Sequence, residues 1–322
     1  NYVFSSRDGN QELIFMIKEK QSTLAGMVTL SGRGLHTGQQ SQITIKPAPD
    51  NHGIVFQRVD LPEKPLIRAH ISNLNDTSRS TNIRENGADV KTIEHFMAAC
   101  AGMSLDNLLV EINCSEMPIL NGSAEPYIQE FEKVGILQQN AKREYYTVEE
   151  VLKFEKPDLG IELMIVPSNN FKISVMVDYG TDILASQNVS LNKMSDFATE
   201  IAPCRTFVFL HELQYLVSNN LVKGGDIDNA IVFVDKKPKK EELEQLCQFF
   251  NRKDIEVTEN GTLNNTQLHF HNEPARHKML DLIGDLYLLG KPIKGTIVAK
   301  KPGHFANSEF TKLISECAVI AK

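Results

Sequence analysis

A chain of 322 residues, 41% hydrophobic and 23% charged, is long enough for two domains and apolar enough to bury a core in each. Its net charge of -7 excludes a broad basic face for nucleic acid. No apolar run reaches the ~20 residues that span a bilayer, so any membrane contact is expected to be peripheral.

In chain order, residues 1–15 show neither the basic start nor the small-residue cleavage site of a signal peptide, and read as an N-terminal extension or expression remnant ahead of Met16. From Met27 to Ile71, "MVTLS", "QITIK", "GIVFQ" and "LIRAHI" are β-branched runs separated by Gly, Pro, Asn and Asp, the pattern of short strands. A helix is predicted at about 91–102, closed by Gly102, then a strand in "NLLVEIN", a turn in "MPILNGS" and a helix over about 124–135. The polar, aperiodic "LQQNAKREY" places a domain boundary near residue 140, dividing 16–140 from 141–322. Beyond it, strands are expected in "YTVEEVLKFE", "IELMIVP" and "FKISVMVD", and a helix near 194–202. A strand in "CRTFVF", a helix at 211–218, the loop "VKGGD" and a strand in "NAIVFV" follow. The chain closes with an exposed helix in "KKPKKEELEQLCQFF", a helix over 272–289, the strand "KGTIVAKK" and a last helix after "GHFANSEF". Strands first and helices later, twice over, predict an α+β protein of two similar halves. Five cysteines (Cys100, Cys114, Cys204, Cys247 and Cys317) form no CxxC pair, which argues against a disulfide framework and for a reducing, cytoplasmic setting.

Three places carry candidate chemistry. On the 272–289 helix, Met279, Leu282, Ile283 and Leu286 share one face, while His277, Asp281 and Asp285 form a stripe roughly opposite. That stripe is either a solvated face or one wall of a metal site, because His and Asp at i,i+4 can close on one cation. In "TIEHFMAA", Glu94 and His95 are adjacent on an otherwise apolar helix. A hydrolytic metal site needs three protein ligands, an open position for water and a nearby base, and His95, His277, Asp281 and Glu94 supply that set. In "KPGHFAN", His304 follows a glycine after an apolar strand, where side chains often line a cleft. His269 and His271, two apart on an expected strand, are a weaker metal pair without a neighbouring carboxylate. "SGRGLHTG" lacks the GK[ST] ending of a phosphate loop and reads as a hairpin bend.

Together, "SGRGLHTG", "TIEHFMAA", "DNLLVEIN", "MPILNGSA", "CRTFVF", "KGGDIDNAIV", "RHKMLDLIGDL" and the later "GH" occur in the order and spacing of the UDP-3-O-acyl-N-acetylglucosamine deacetylase family, which this chain resembles over roughly residues 22–316. The resemblance implies helices sandwiched between two sheets, with the active site at the domain interface. It implies zinc, or iron(II), on His95, His277 and Asp281, with Glu94 as general base. His304 matches the cation that steadies the oxyanion and protonates the leaving amine, Asp285 its orienting partner, and Thr206 a hydroxyl donor to the oxyanion. Lys278 and Phe207 match residues near the sugar, and His36 one toward the nucleotide end of the cleft. Residues 208–232 match an insert that forms an acyl-chain passage, with Leu210, Leu213, Val222 and Val232 as its lining. The implied substrate is UDP-3-O-acyl-N-acetylglucosamine, and some relatives continue into a hydroxyacyl-carrier-protein dehydratase domain. Two positions depart from the family pattern: Asn121 stands where Asp is usual, and Lys91 where Ser is common. Competing readings are an amidase of the same fold acting on another substrate, and a non-catalytic metal- or lipid-binding relative. Binding alone has no need of Glu94 and His304, which argues against the latter.

Overall fold

The computed structural model describes residues 19–321 apart from 182, 220, 227, 236, 237, 253, 254, 258–260, 264 and 265, so residues 1–15 lie outside the described residues. The first half holds a five-stranded sheet in the order Val28–Arg33, Gln40–Pro47, Leu108–Ile112, Ile54–Arg58, Leu66–Arg68. Alternation decides which face is buried: in Gln40–Pro47, Ser41, Ile43 and Ile45 point inward between more exposed neighbours. A small meander, Leu74–Asp76, Asn82–Glu85 and Ala88–Val90, leads into helix α1, Glu94–Gly102. Eight of its nine residues are buried, as expected of a segment that is apolar on every side. Helix α2, Glu125–Val134, packs through Tyr127 and Phe131 onto Phe96 of α1, with ring centroids 5.5 and 6.4 Å apart.

The second half is built on a seven-stranded sheet. Ile293–Lys300 is its axis, antiparallel to Ile161–Val166 and parallel to both Phe171–Val177 and Tyr145–Thr147. Helix α3 is the short Phe197–Glu200. An excursion follows in which the parallel strands Phe207–Phe209 and Ile231–Phe233 flank α4, Leu210–Ser218; α5, Lys240–Phe249, comes after it. Helices α6, Glu273–Leu286, and α7, His304–Cys317, complete the half. One apolar core runs through both halves, joining Phe56, Phe96 and Phe131 to Leu280, Ile283, Ile173 and Ile297. The fold is α+β, as expected. Among the described residues no helix is long and apolar enough to cross a membrane, and all five cysteines are free thiols.

The structure corrects several sequence expectations. Of the two readings left open for the α6 stripe, the solvated face is removed, since twelve of the fourteen residues are buried, Arg276 and Lys278 excepted. The polar stretch near residue 140 is a strand, Ile136–Lys142, paired antiparallel with Lys20–Leu24, because an edge strand needs few apolar residues. Helix α7 begins at His304 itself, not after "GHFANSEF". His269 and His271 are exposed in a bend and turn rather than on a strand. Gln187–Leu191 and Val319–Ala321 are strands that the sequence reading passed over.

Helices α1 and α6 meet backbone to backbone. A Cβ placed on Gly284 would lie 2.1 Å from the Glu94 carbonyl oxygen and 3.2 Å from the Ala98 nitrogen, so only glycine fits. Forcing a methyl into this contact typically costs about 1–3 kcal/mol. G284A is therefore expected to lower the thermal midpoint by about 3–8 °C in a calorimetric melt and to weaken metal binding at the adjacent cluster. An unchanged midpoint would show that the two helices do not touch here.

Candidate metal and acid–base site

The α1–α6 contact sets two imidazoles and a carboxylate around one point. His277 Nε2 lies 3.3 Å and His95 Nε2 3.7 Å from Asp281 Oδ1, and the two imidazole rings are 5.0 Å apart and nearly perpendicular. One ligand atom from each residue falls within 4.8 Å of the others, and all three side chains are buried. Asp281 Oδ1 has no hydrogen-bond donor, an expensive condition for a buried carboxylate oxygen unless a cation completes it. His277 directs Nδ1 at the Cys204 carbonyl, 3.0 Å away, which leaves Nε2 as the free lone pair, the usual outer partner of a metal-bound histidine. Burial is the largest cause that keeps both histidines neutral, pushing His95 down to about 3 and lowering His277 as well. Burial works against ionisation of Asp281, yet His277, Lys278 and His304 outweigh it and hold the carboxyl below its ordinary range. Neutral imidazoles and an ionised carboxylate are the protonation states that a zinc-type cation requires, so the donor set fits such an ion.

Beside this cluster sit the acid–base groups. The Thr81 amide donates to Glu94 Oε2 at 3.0 Å, while Oε1 faces His304 Nε2 at 3.9 Å. Burial pushes Glu94 up to about 7 against the pull of the His304 charge. His304 Nδ1 meets Asp285 Oδ2 at 3.2 Å. Burial alone would lower the His304 pKa, but the charge and hydrogen bond of Asp285, with Asp281 and Glu94, raise it to about 9. Asp285 is itself held by Asn307 Nδ2 at 2.8 Å and by the Thr81 hydroxyl.

The remaining predicted residues fall on or near a cavity of about 730 Å³ in the excursion that follows α3. Thr206, Phe207, Leu213, Val222 and Val232 line it; Leu210 does not, packing instead with three of them in one apolar cluster. His36, expected toward the nucleotide end, lines the same cavity, and both its ring nitrogens are buried without a side-chain hydrogen-bond partner among the described residues. Lys278 Nζ bonds Asp281 Oδ2 at 3.1 Å and lies 5.7 Å from the centre of the Phe207 ring. The two departures are local. Asn121 Oδ1 accepts from the Ser123 amide and hydroxyl at 3.0 and 2.8 Å, as an aspartate would, and Lys91 pairs with Asp89 at 3.5 Å.

Several residues that hold the site escaped sequence reasoning. Thr81 touches Glu94, Asp285 and His304 at once, its hydroxyl 3.1 Å from His304 Nδ1. Nothing in "TSRSTNI" signals it, because hydroxyl-rich turns are common. Glu273, fully buried, takes the Arg205 amide and guanidinium at 3.0 and 2.9 Å and thereby fixes the neighbouring Cys204 carbonyl for His277. Glu116, also buried, accepts from the His36 and Thr37 amides and fixes the "SGRGLHTG" bend.

A buried His₂Asp cluster able to hold a metal ion, with a carboxyl group and a carboxylate-held imidazole beside it, sits at the centre of an α+β fold. The chain belongs to the LpxC, UDP-3-O-acyl N-acetylglycosamine deacetylase, family, whose model matches residues 21–248 and 250–316. It is 43% identical over 293 residues to the bifunctional enzyme LpxC/FabZ of Bacteroides thetaiotaomicron, covering 91% of this chain and 64% of that protein. Against the bifunctional enzyme of Porphyromonas gingivalis the identity is 42%, again over 64% of the relative and 92% of this chain. The UDP-3-O-acyl-N-acetylglucosamine deacetylase of Teredinibacter turnerae is 37% identical, with 90% of this chain and 88% of the relative matched. The chain thus spans just under two thirds of the length of the bifunctional relatives.

Two outcomes follow from this geometry. Metal-stripped protein should take up about one zinc per chain, with H277A or D281A abolishing uptake in equilibrium dialysis; retention in both variants would place the ion elsewhere. T81V deletes the hydroxyl that Asp285 and His304 share, and is expected to lower the His304 pKa as read by imidazole NMR while leaving zinc stoichiometry intact. A His304 titration identical to wild type would remove Thr81 from the network.

Proposed function

We propose that this chain is a zinc-dependent deacetylase. It hydrolyses the N-acetyl group of UDP-3-O-(3-hydroxyacyl)-N-acetylglucosamine and releases acetate, the committed step of lipid A biosynthesis. The observation that carries the reading is the approach of Glu94 Oε1 and His304 Nε2 to 3.9 Å beside the His95, His277 and Asp281 cluster, one group poised to take a proton and the other to give one. Membership of the deacetylase family supports the substrate class.

His95, His277 and Asp281 would hold zinc or iron(II), which when bound would supply a water acidic enough to lose a proton near neutral pH and would polarise the amide carbonyl. Glu94, a carboxylate above about 7, accepts the proton of the attacking water on Oε1, the oxygen that the Thr81 amide leaves free. His304, cationic up to about 9, presents Nε2–H to the negative charge that develops on the acetamide oxygen, and then passes the proton to the departing amine as the C–N bond breaks. Asp285 keeps His304 protonated and oriented through Nδ1. The Thr206 hydroxyl adds a donor to the oxyanion, Lys278 and Phe207 border the sugar, and His36 stands toward the nucleotide. The cavity lined by Leu213, Val222 and Val232 takes the acyl chain.

We further propose the division between the halves near residue 140, 16–140 against 141–322, within the strand Ile136–Lys142 that pairs with Lys20–Leu24. The proposed setting is cytoplasmic with peripheral membrane contact, and a hydroxyacyl-carrier-protein dehydratase, fused or separate, is the proposed partner, in keeping with the bifunctional relatives.

Turnover of UDP-3-O-acyl-N-acetylglucosamine tests the reading directly. Removing the acyl chain from the substrate should depress kcat/KM sharply; indifference to it would point to an amidase of another substrate. E94Q is expected to lower kcat by about 10²–10⁴ and H304A by about 10²–10³. Below about 7 Glu94 is protonated and cannot accept; above about 9 His304 is neutral and cannot donate. The pH profile should therefore be bell-shaped between these values, with both limbs moved down when a dication is bound, since positive charge favours carboxylate and disfavours imidazolium. H304A should lose the alkaline limb alone.

A further inference from the structure

A second cavity, of about 460 Å³, lies at the other end of the α1–α6 pair, within the size range of small-molecule sites. Its floor is apolar: Ile283 and Leu286 of α6, Phe171 at the start of a strand, and Met194. The α6 residues turn here to the side away from the metal cluster. The rim is basic, with Lys142, Arg143, Lys291 and Lys294 set against a single carboxylate, Glu19.

Two of these cations have structural employment. Helices α1 and α6 both end at this cavity, and helix C-termini attract positive charge. Arg143, buried, bonds Asp106 at 2.8 Å and the Tyr287 hydroxyl at 3.2 Å, and Lys291 pairs with Glu144 at 3.1 Å. The other two do not. Lys294 lies over the Tyr145 ring, 4.4 Å from its centre, and neither it nor Lys142 has a carboxylate partner among the described residues. An apolar pocket left open to water is unfavourable by itself, and uncompensated cations at its rim select the sign of whatever fills it.

We propose that this cavity binds a small amphiphile with one anionic head group, a carboxylate or a phosphate. The head sits at the Lys142 and Lys294 rim, and the tail lies against Phe171, Met194, Ile283 and Leu286. The site is separate from the cavity beside the acid–base groups, and the proposal does not rest on the deacetylase reading.

Met194 makes the site observable, since no methionine lines the other cavity. Full-length protein labelled with ¹³C at methionine methyls would be titrated with decanoate, decyl phosphate and uncharged decanol. The Met194 resonance is expected to shift saturably with either anion and far less with decanol, the tighter anion naming the preferred head. In K142E/K294E the anion affinity should fall by about tenfold or more, with the rest of the methionine spectrum unchanged. The same titration of V232W, which plugs the other cavity, should move Met194 as in wild type. A Met194 signal that stays still, or that responds equally to decanol, or whose shift survives charge reversal, overturns the proposal.

Discussion

The site depends on one steric fact, the absence of a side chain at Gly284. Because the Glu94 carbonyl occupies the space where a Cβ would stand, α1 and α6 approach until their backbones touch. The short distance brings His95, from the first half, within ligand reach of His277 and Asp281, from the second, and sets Glu94 against His304. The apolar sides of both helices bury into a common core, so the contact is clamped by packing on every flank and not by the polar groups it creates. Those polar groups are in fact costly. A carboxylate oxygen without a donor and three further ionisable side chains in the interior are tolerated because the surrounding core leaves them no alternative geometry.

Within that cage, environment assigns each carboxyl a different role. Glu94, dominated by burial, is held near neutrality and titrates in the working range of a base. Asp281, beside His277, Lys278 and His304, is kept ionised against its burial. Asp285 accepts from Asn307 and Thr81 and spends its charge on His304. Thr81 bridges Glu94 and His304, touching the first with its backbone amide and the second with its hydroxyl.

Distant segments of sequence converge around this centre through backbone contacts. The Thr206 amide donates to the Gly122 carbonyl, and the Thr206 carbonyl accepts from the Ile231 amide, at 2.7 and 2.8 Å. Gly224 donates to the Leu35 carbonyl at 3.0 Å and leaves no room for a Cβ, which would stand 2.0 Å from the Gly34 oxygen. A Cβ on Gly38 would in turn stand 2.8 Å from the Lys223 Cβ, so Gly38 and Gly224 are each explained by the other loop. The loops they belong to wall the larger cavity, so the two halves define it jointly.

The sequence by itself determined the element types and the chemistry on offer. Periodicity located the strands and the main helices, and the adjacency of Glu94 and His95 and the four-residue spacing of His277, Asp281 and Asp285 are properties of a helix, readable without a partner. It could not decide between a solvated stripe and a metal wall, because both show the same spacing on an isolated helix. Tertiary packing removed the first by burying twelve of the fourteen α6 residues, and drew His277 and Asp281 into a group that could hold a metal ion. Only the folded chain brought Thr81, Glu273 and Glu116 to the site, since their roles lie in contacts across 13 to 223 residues of sequence that no local pattern encodes. It was likewise packing, not propensity, that turned the polar 136–142 stretch into an edge strand and started α7 at His304, placing that imidazole against Asp285.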